Sequence, residues 1–227
     1  MRMAELSARS GTPVATIKYY QRENILAGGA HSGPNQALYS ETHLDRIRLI
    51  RGLTEVGGLS VAAVRRVLEA IDSERSLQET FEIAQQSVSA TIDPSTVSAE
   101  ALARVDALTA GWHVSAANPG RLAAARVVDT FAEVGQVDAR GWFDRYAAAA
   151  LLAAEADIDE LDARVDRAAK GETVVVGTVL GDKLFSGLRR AAQEHVSALR
   201  YSVPPDGAPE PEPVSEPAPE AAPDHTP

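Results

Sequence analysis

The sequence predicts a mainly α-helical protein with an N-terminal head of short helices, an all-helical C-terminal domain and a disordered tail. Three observations predict it. Apolar residues recur at three- and four-residue spacing through most of residues 3–202, as at Leu44, Ile47, Ile50 and Leu53, which is the helical period. Capping residues stand just ahead of those stripes, Ser40, Ser60, Ser98 and Asn118 among them, where a side-chain oxygen satisfies a free first-turn amide. Residues 203–227 hold nine of the thirteen prolines and six acids but no Lys or Arg, so they bury no core. That segment reads as a solvating tail or as an acidic arm that competes with DNA for a basic surface.

Residues 3–9 form a first helix with Met3 and Leu6 inward, and Gly11 makes the turn out of it. Thr12 is placed to cap a second helix and Pro13 to open it, since the first helical position needs no N–H. Val14 and Ile17 lie three apart on the inner face, while Ala15, Thr16 and Tyr19 point away from it at about 100° per residue. Lys18 and Arg22 share a flank. A helix that offers small, hydroxyl and cationic groups outward suits a DNA major groove; an ordinary amphipathic surface helix has the same pattern. Ala27 to Asn35, with three glycines and a proline, reads as a loop. Ser40 caps a helix over 41–56, whose stripe Leu49 and Val56 widen. Its Arg46, Arg48 and Arg51 lie on other faces, suited to backbone phosphates or to a solvated charged face.

Gly57-Gly58 ends that helix, and Ser60 caps another with Val61, Val64, Leu68 and Ile71 inside. A helix over 75–91 carries Leu77, Phe81, Ala84 and Val88 and stops at Ile92-Asp93-Pro94-Ser95. Ser98 caps a helix with Leu102, Val105 and Leu108; Gly111 to Val114 connects it to the next. Asn118 and Pro119 open a helix with Leu122, Val127, Val128, Phe131 and Val134, closed by Gly135. Asp138 caps a long helix running from Trp142 past Val165 to Gly171, and a last helix spans 172–201. There Val174-Val175-Val176 also fits a strand, and Leu180, Leu184 and Leu188 favour the helix. The implied units are 1–72, a helix and linker over 73–97, a helical domain over 98–202 and the tail. No internal repeat is present.

The order Met3-Ala4-Glu5-Leu6-Ser7, Gly11, Thr16 to Glu23, Ile25-Leu26, Leu38-Tyr39-Ser40-Glu41, Leu44, Ile47, Ile50, Leu53 and Gly58-Leu59-Ser60-Val61 resembles the MerR family of transcriptional regulators over residues 1–72. The resemblance implies a winged helix-turn-helix head and a homodimer on double-stranded promoter DNA, acting on RNA polymerase indirectly by distorting that DNA, a form of indirect readout. It places Ala15, Thr16, Lys18, Tyr19, Tyr20 and Arg22 of the recognition helix, His31, Asn35, Gln36 and Tyr39 of the wing, and Arg46 at DNA. Lys18 stands where the family usually has Arg, and Gln21 where it has Glu. In the wing, Asn35-Gln36-Ala37 replaces Gly-Tyr-Arg and His31 replaces an Arg, so the wing bonds phosphate or base edges without charge. The Val56-Gly57-Gly58-Leu59-Ser60-Val61 junction, the stretch Val176 to Gly181 and Gln193-Glu194-His195 resemble an actinobacterial class of the family. The helix over 75–91 is short for the family's dimer rod, so dimerisation draws on the C-terminal helices.

A chain of 227 residues with 44% hydrophobic content has room for one large or two modest domains. The net charge of −10 is uneven. Residues 1–72 hold nine Lys/Arg and seven Asp/Glu, a net of +2, against −12 for the rest, and phosphate contact needs a locally basic surface. No stretch approaches the roughly 20 apolar residues of a membrane span, and no leader pattern opens the chain; a cytoplasmic place is expected. Absence of cysteine excludes disulfides and thiolate metal centres, including the thiol-based sensing used elsewhere in the family. The five histidines are not at metal-ligand spacing. Gly177 to Lys183 is one residue short of a phosphate loop, and no catalytic constellation or cofactor motif appears, so the chain is expected not to be an enzyme. The acidic run Asp157, Asp159, Glu160 and Asp162 reads as a solvated helix face, with a cation site as the alternative. Trp112, Trp142, Phe143 and Tyr146 concentrate the scarce aromatics and suit either core packing or a pocket for a small apolar effector. Gly177 and Gly181, four apart, permit close helix approach. The alternative to a regulator is a ligand- or protein-binding module with little DNA affinity. Operator, effector, sign of regulation and regulated genes are not encoded legibly.

Overall fold

The computed structural model describes residues 1–33 and 36–201; Asn35 and the tail over 203–227 lie outside them. Nine α-helices and one hairpin make up the regular structure among those residues: α1 Met3–Ser10, α2 Val14–Arg22, β1 Ala30–Gly33, β2 Gln36–Leu38, α3 Glu41–Arg51, α4 Val61–Asp72, α5 Leu77–Val88, α6 Ala99–Leu108, α7 Pro119–Glu133, α8 Trp142–Asp162 and α9 Arg167–Tyr201. β1 and β2 pair antiparallel, with Ala30 opposite Leu38 and His31 opposite Ala37. The loop expected over 27–35 therefore holds a short strand.

Local chemistry accounts for most boundaries. Ser60 accepts from the Ala63 amide at 3.2 Å, Ser98 from Ala101 at 3.0 Å and Asn118 from Arg121 at 3.0 Å. Ser76 and Glu79 form a reciprocal capping box at the start of α5, satisfying two orphan amides together. At α3 the Ser40 N–H donates to His43 Nδ1 at 3.2 Å. The far end of α3 widens into a π-helical turn over Gly52–Val56, closed by Gly57 N–H to the Gly52 carbonyl at 2.9 Å.

Three expected boundaries move. Pro13, not Thr12, is the N-cap of α2. Thr12 is buried and its hydroxyl turns back to the Ser10 carbonyl at 3.4 Å. The long helix ends at Asp162, and α9 already begins at Arg167, with Asp166 accepting the Ala169 amide at 3.0 Å as its cap. Gly171 lies inside α9, where a Cβ would meet Ile71 Cα at an ordinary 3.5 Å and crowd only the Arg167 guanidinium, at 2.7 Å. Val174 to Val176 are helical.

One core joins the head to α9. Leu6, Ile17, Leu44, Ile47, Ile50, Leu53, Val64 and Val67 are fully enclosed, and they cluster with Ala84 of α5, Leu161 of α8 and Val174, Val175 and Val179 of α9. This core crosses the boundary expected at residue 72. Arg167 ties the start of α9 to the Arg75 carbonyl. A smaller cluster of Val97, Ala101, Val105 and Ala125 holds α6 against α7. Outside these cores the apolar stripes stay open: Val56, Val127, Val134, Val165, Leu184 and Leu188 are exposed, contrary to their expected burial, because no element described covers them. The chain divides into two compact units, Met1–Leu188 and Arg189–Pro227; of the second, the end of α9 up to Tyr201 is described, with Val196, Leu199 and Tyr201 exposed.

Deleting two methyls from a fully enclosed valine costs about 2 kcal/mol in transfer and cavity terms. Val179→Ala is therefore expected to lower unfolding stability by about 2 kcal/mol and to shift head and C-terminal helices together in one urea transition. Separate transitions, with the head unmoved, would contradict the shared core.

Candidate nucleic-acid interface

Gly11 ends α1 at φ +65°, a conformation in which a side chain is strained. The turn is then fastened twice. Ser7 Oγ donates to the Thr12 carbonyl at 2.7 Å, and Arg51 Nη1 donates to the Ser10 carbonyl at 2.9 Å. Arg51 also meets Glu55 through Nε at 2.7 Å and Nη2 at 2.9 Å. The far end of α2 is held by Arg65, which bonds the Glu23 carbonyl at 2.8 Å and its carboxylate at 2.7 Å.

Between those anchors, α2 divides by angle. Taking Ala15 as zero, Lys18, Tyr19 and Arg22 fall within about 60° of it, while Ile17, Tyr20 and Val14 occupy the far side. Burial follows that division: Ile17 and Tyr20 are core, Val14 and Thr16 are half-buried, and Ala15, Lys18, Tyr19 and Arg22 are exposed. The Arg22 guanidinium lies 5.8 Å from the Tyr19 ring centroid, a cation–π pairing that orients both side chains. In the hairpin, His31 and Gln36 are exposed.

Three expected contacts are corrected. Tyr20 is 7% exposed and belongs to the core; burial pushes its phenol up from the ordinary tyrosine value. Tyr39 is equally enclosed, edge-on to His43 at 5.2 Å, with its hydroxyl 3.4 Å from Gln21 Nε2. Gly29 permits that packing, because a Cβ there would stand 2.8 Å from the Leu38 carbonyl oxygen. Arg46 Nη2 donates to both carboxylate oxygens of Asp72, at 2.5 and 2.6 Å, instead of reaching outward. Arg48 and Arg51 are likewise paired, with Asp45 and Glu55. The anchoring roles of Arg51 and Arg65 escape sequence reading, since their carbonyl partners lie 41 and 42 residues away.

The C-terminal aromatics gather around Phe131, a ring that spacing alone did not single out. Phe131 meets Trp142 at 5.0 Å and Phe143 at 5.1 Å, and Trp142 meets Tyr146 at 6.0 Å. Trp112 sits half-buried in the α6–α7 connector. Trp142, Phe143 and Tyr146, expected with Trp112 to line an effector pocket, meet in edge-to-face and tilted contacts with one another and with Phe131; a groove of about 820 Å³ lies elsewhere, lined by α5, α8 and α9. Among the described residues, no group of three or more His, Asp or Glu is placed to hold a metal ion, and no helix is long and apolar enough to cross a membrane.

Hydrogen bonding to Arg51 holds Glu55 below its ordinary carboxylate pKa, as Arg9 does for Glu41. A lowered folded-state pKa adds stability that is present above the unfolded value and lost as pH falls through the folded one. The stability gap between wild type and Glu55→Gln is therefore expected at pH 7 and to close in acid, below the unperturbed 4.5. Paired urea curves across that range measure it; a gap independent of pH would contradict the pairing.

A family model described as MerR HTH family regulatory protein matches residues 1–71. Among solved structures, the chain is similar to SCO5550, a candidate transcriptional regulator from Streptomyces coelicolor A3(2), at 30% identity and a TM-score of 0.68, covering 90% of this chain and 99% of that one. It also matches the transcription regulator PbrR691 from Ralstonia metallidurans CH34, solved with lead(II), at 20% identity and a TM-score of 0.33, covering 74% of this chain and 92% of that one. No curated protein matches. With a helix-turn-helix head matched over its whole length and a full-length relative among transcriptional regulators, the chain belongs to the MerR family of DNA-binding transcriptional regulators.

Proposed function

We propose that the protein acts in the cytoplasm as a homodimeric, sequence-specific regulator whose head, residues 1–72, docks α2 in the major groove of promoter DNA. Ala15, Thr16 and Tyr19 face base edges; Lys18 and Arg22 hold phosphates; His31, Asn35 and Gln36 flank them from the wing. The observation that carries this reading is which cations remain available. Of the nine Lys and Arg of residues 1–72, Arg9, Arg46, Arg48, Arg51 and Arg65 are ion-paired within the head. Arg2, Lys18, Arg22 and Arg66 make no salt bridge among the described residues, and two of those four stand on the exposed face of α2. Phosphate contacts position such a helix and base contacts specify.

Dimerisation falls to the C-terminal helices, whose open apolar positions need a partner, and an effector acts through the same helices. RNA polymerase is affected through the promoter's shape rather than by contact. A second reading, a ligand- or protein-binding module with little DNA affinity, draws on the same ion pairs, because five arginines are already neutralised by acids of the head.

Salt dependence separates the two. Wild-type protein is expected to retard a fragment of its own upstream region, with log K falling linearly in log salt. Lys18→Ala with Arg22→Ala is expected to weaken binding and to reduce that slope by about 1 for each phosphate the variant no longer neutralises. Failure to select any sequence from a random duplex pool would favour the module instead.

A further inference from the structure

The hairpin beside α2 has little of its own to hold it. Its incoming arm, Ala27-Gly28-Gly29-Ala30, carries no side chain larger than a methyl group. Ile25 and Leu26 just ahead of it are buried, but Ala27, Gly28 and Ala30 are exposed. A two-stranded ribbon is marginal by itself in water. Whatever fixes this arm must therefore grip its backbone.

Two side chains do so, one from each neighbouring helix. Gln21, in the last turn of α2, donates from Nε2 to the Ala27 carbonyl at 3.3 Å and to the Tyr39 hydroxyl at 3.4 Å. His43, in the first turn of α3, reaches the next carbonyl, with Nε2 3.2 Å from the Gly28 oxygen. Its ring is edge-on to Tyr39 at 5.2 Å. Each side chain thus touches the incoming arm through a carbonyl and the outgoing arm through Tyr39, which belongs to the core.

The partners of His43 fix its tautomer. The Ser40 amide can only donate, and it approaches Nδ1 at 3.2 Å. The Ser40 hydroxyl, 2.8 Å from the same nitrogen, suits either role. A carbonyl can only accept. Nδ1 is therefore the acceptor and Nε2 carries the proton. In that form one ring completes the capping box of α3 and tethers the hairpin at once. Gln21 needs its amide for the same reason: a Glu of equal length could not donate to a carbonyl.

We propose that Gln21 and His43 are positioning residues of the DNA-binding head. They form a clamp that sets the wing at a fixed reach from α2, so that His31 and Gln36 meet DNA in register with Tyr19 and Arg22. That role in recognition rests on the regulator reading above; the clamp itself does not. Placement matters here because residues 27–39 contain no Lys or Arg, so the wing contacts only what its geometry brings within hydrogen-bond reach.

The test uses full-length protein and three substitutions, Gln21→Glu, His43→Glu and His43→Gln. Glu at position 43 still caps α3, as Gln does, but only Gln keeps an N–H for the Gly28 carbonyl. Amide exchange across β1 and β2 is expected to quicken about tenfold in both Glu variants, with α4 unmoved, and to keep the wild-type rate in His43→Gln. At about pH 8, where histidine is ordinarily neutral, nitrogen NMR of the wild type is expected to show Nδ1 unprotonated and Nε2 protonated. Affinity is then compared on two duplexes, one selected from a random pool and one of scrambled sequence. An added carboxylate weakens both. Lost positioning weakens only the selected one, so both Glu variants are expected to lose on the order of tenfold more affinity there. Wild-type hairpin exchange in either Glu variant, the opposite tautomer, failure of His43→Gln to restore the wild-type behaviour, or equal losses on the two duplexes overturns the proposal. A wild type that does not distinguish the duplexes overturns the regulator reading and the role in recognition, and hairpin exchange then still passes or fails the clamp.

Discussion

The contact between Gly57 and Val179 governs how this protein is assembled. A Cβ at position 57 would lie 2.5 Å from Val179 Cγ1 and 2.6 Å from the Leu53 carbonyl oxygen, closer than atoms tolerate, so α9 reaches the head only because that position is bare. The π-helical turn just before it brings Leu53 into the core and hands the chain to α4. Ile17 and Tyr20 of α2 belong to that same core. The outward face of α2 and the inward face of α9 are thus two surfaces of one packed body, and packed interiors shift between discrete arrangements rather than deforming smoothly.

Electrostatics within the head serve construction as much as attraction. Arg51 fastens the turn between α1 and α2, Arg65 fastens the exit from α2, and Arg46 links α3 to the end of α4. Exposed pairs of this kind contribute little stability each, but here they fix angles between helices. The cations left on α2 then stand against a nearly neutral background. A head with low net charge engages DNA weakly without specific contacts, so discrimination falls on geometry.

Much of this was legible in the chain. Leu44, Ile47, Ile50 and Leu53 announce their face by spacing, and all four are fully buried; Ser60, Ser98 and Asn118 announce helix starts and make the capping bonds. What stayed hidden has physical causes. Tyr20 carries a hydroxyl and sits next to Tyr19, yet it lies about 60° from Ile17 on the inner side, where angle outweighs polarity. Gly171 resembles a helix end, yet α9 runs through it, and no local signal separates a terminal glycine from an internal one. The shared core was invisible because α3, α4 and α9 are each amphipathic in their own right and periodicity does not name a partner. Of the outward residues, Lys18 and Arg22 could be read from spacing alone, whereas pairing of Arg46 with Asp72 depends on how two distant helix ends meet.

The bare position at Gly57 also bears on how the chain matures. Its partner Val179 is synthesised about 120 residues later, which at 5–20 residues per second is a delay of roughly 6–25 s. During that interval the nascent head lacks the part of its core that Val174, Val175 and Val179 supply. The head is therefore completed only after α9 has been made. Ribosome pausing anywhere between α4 and α9 prolongs that wait.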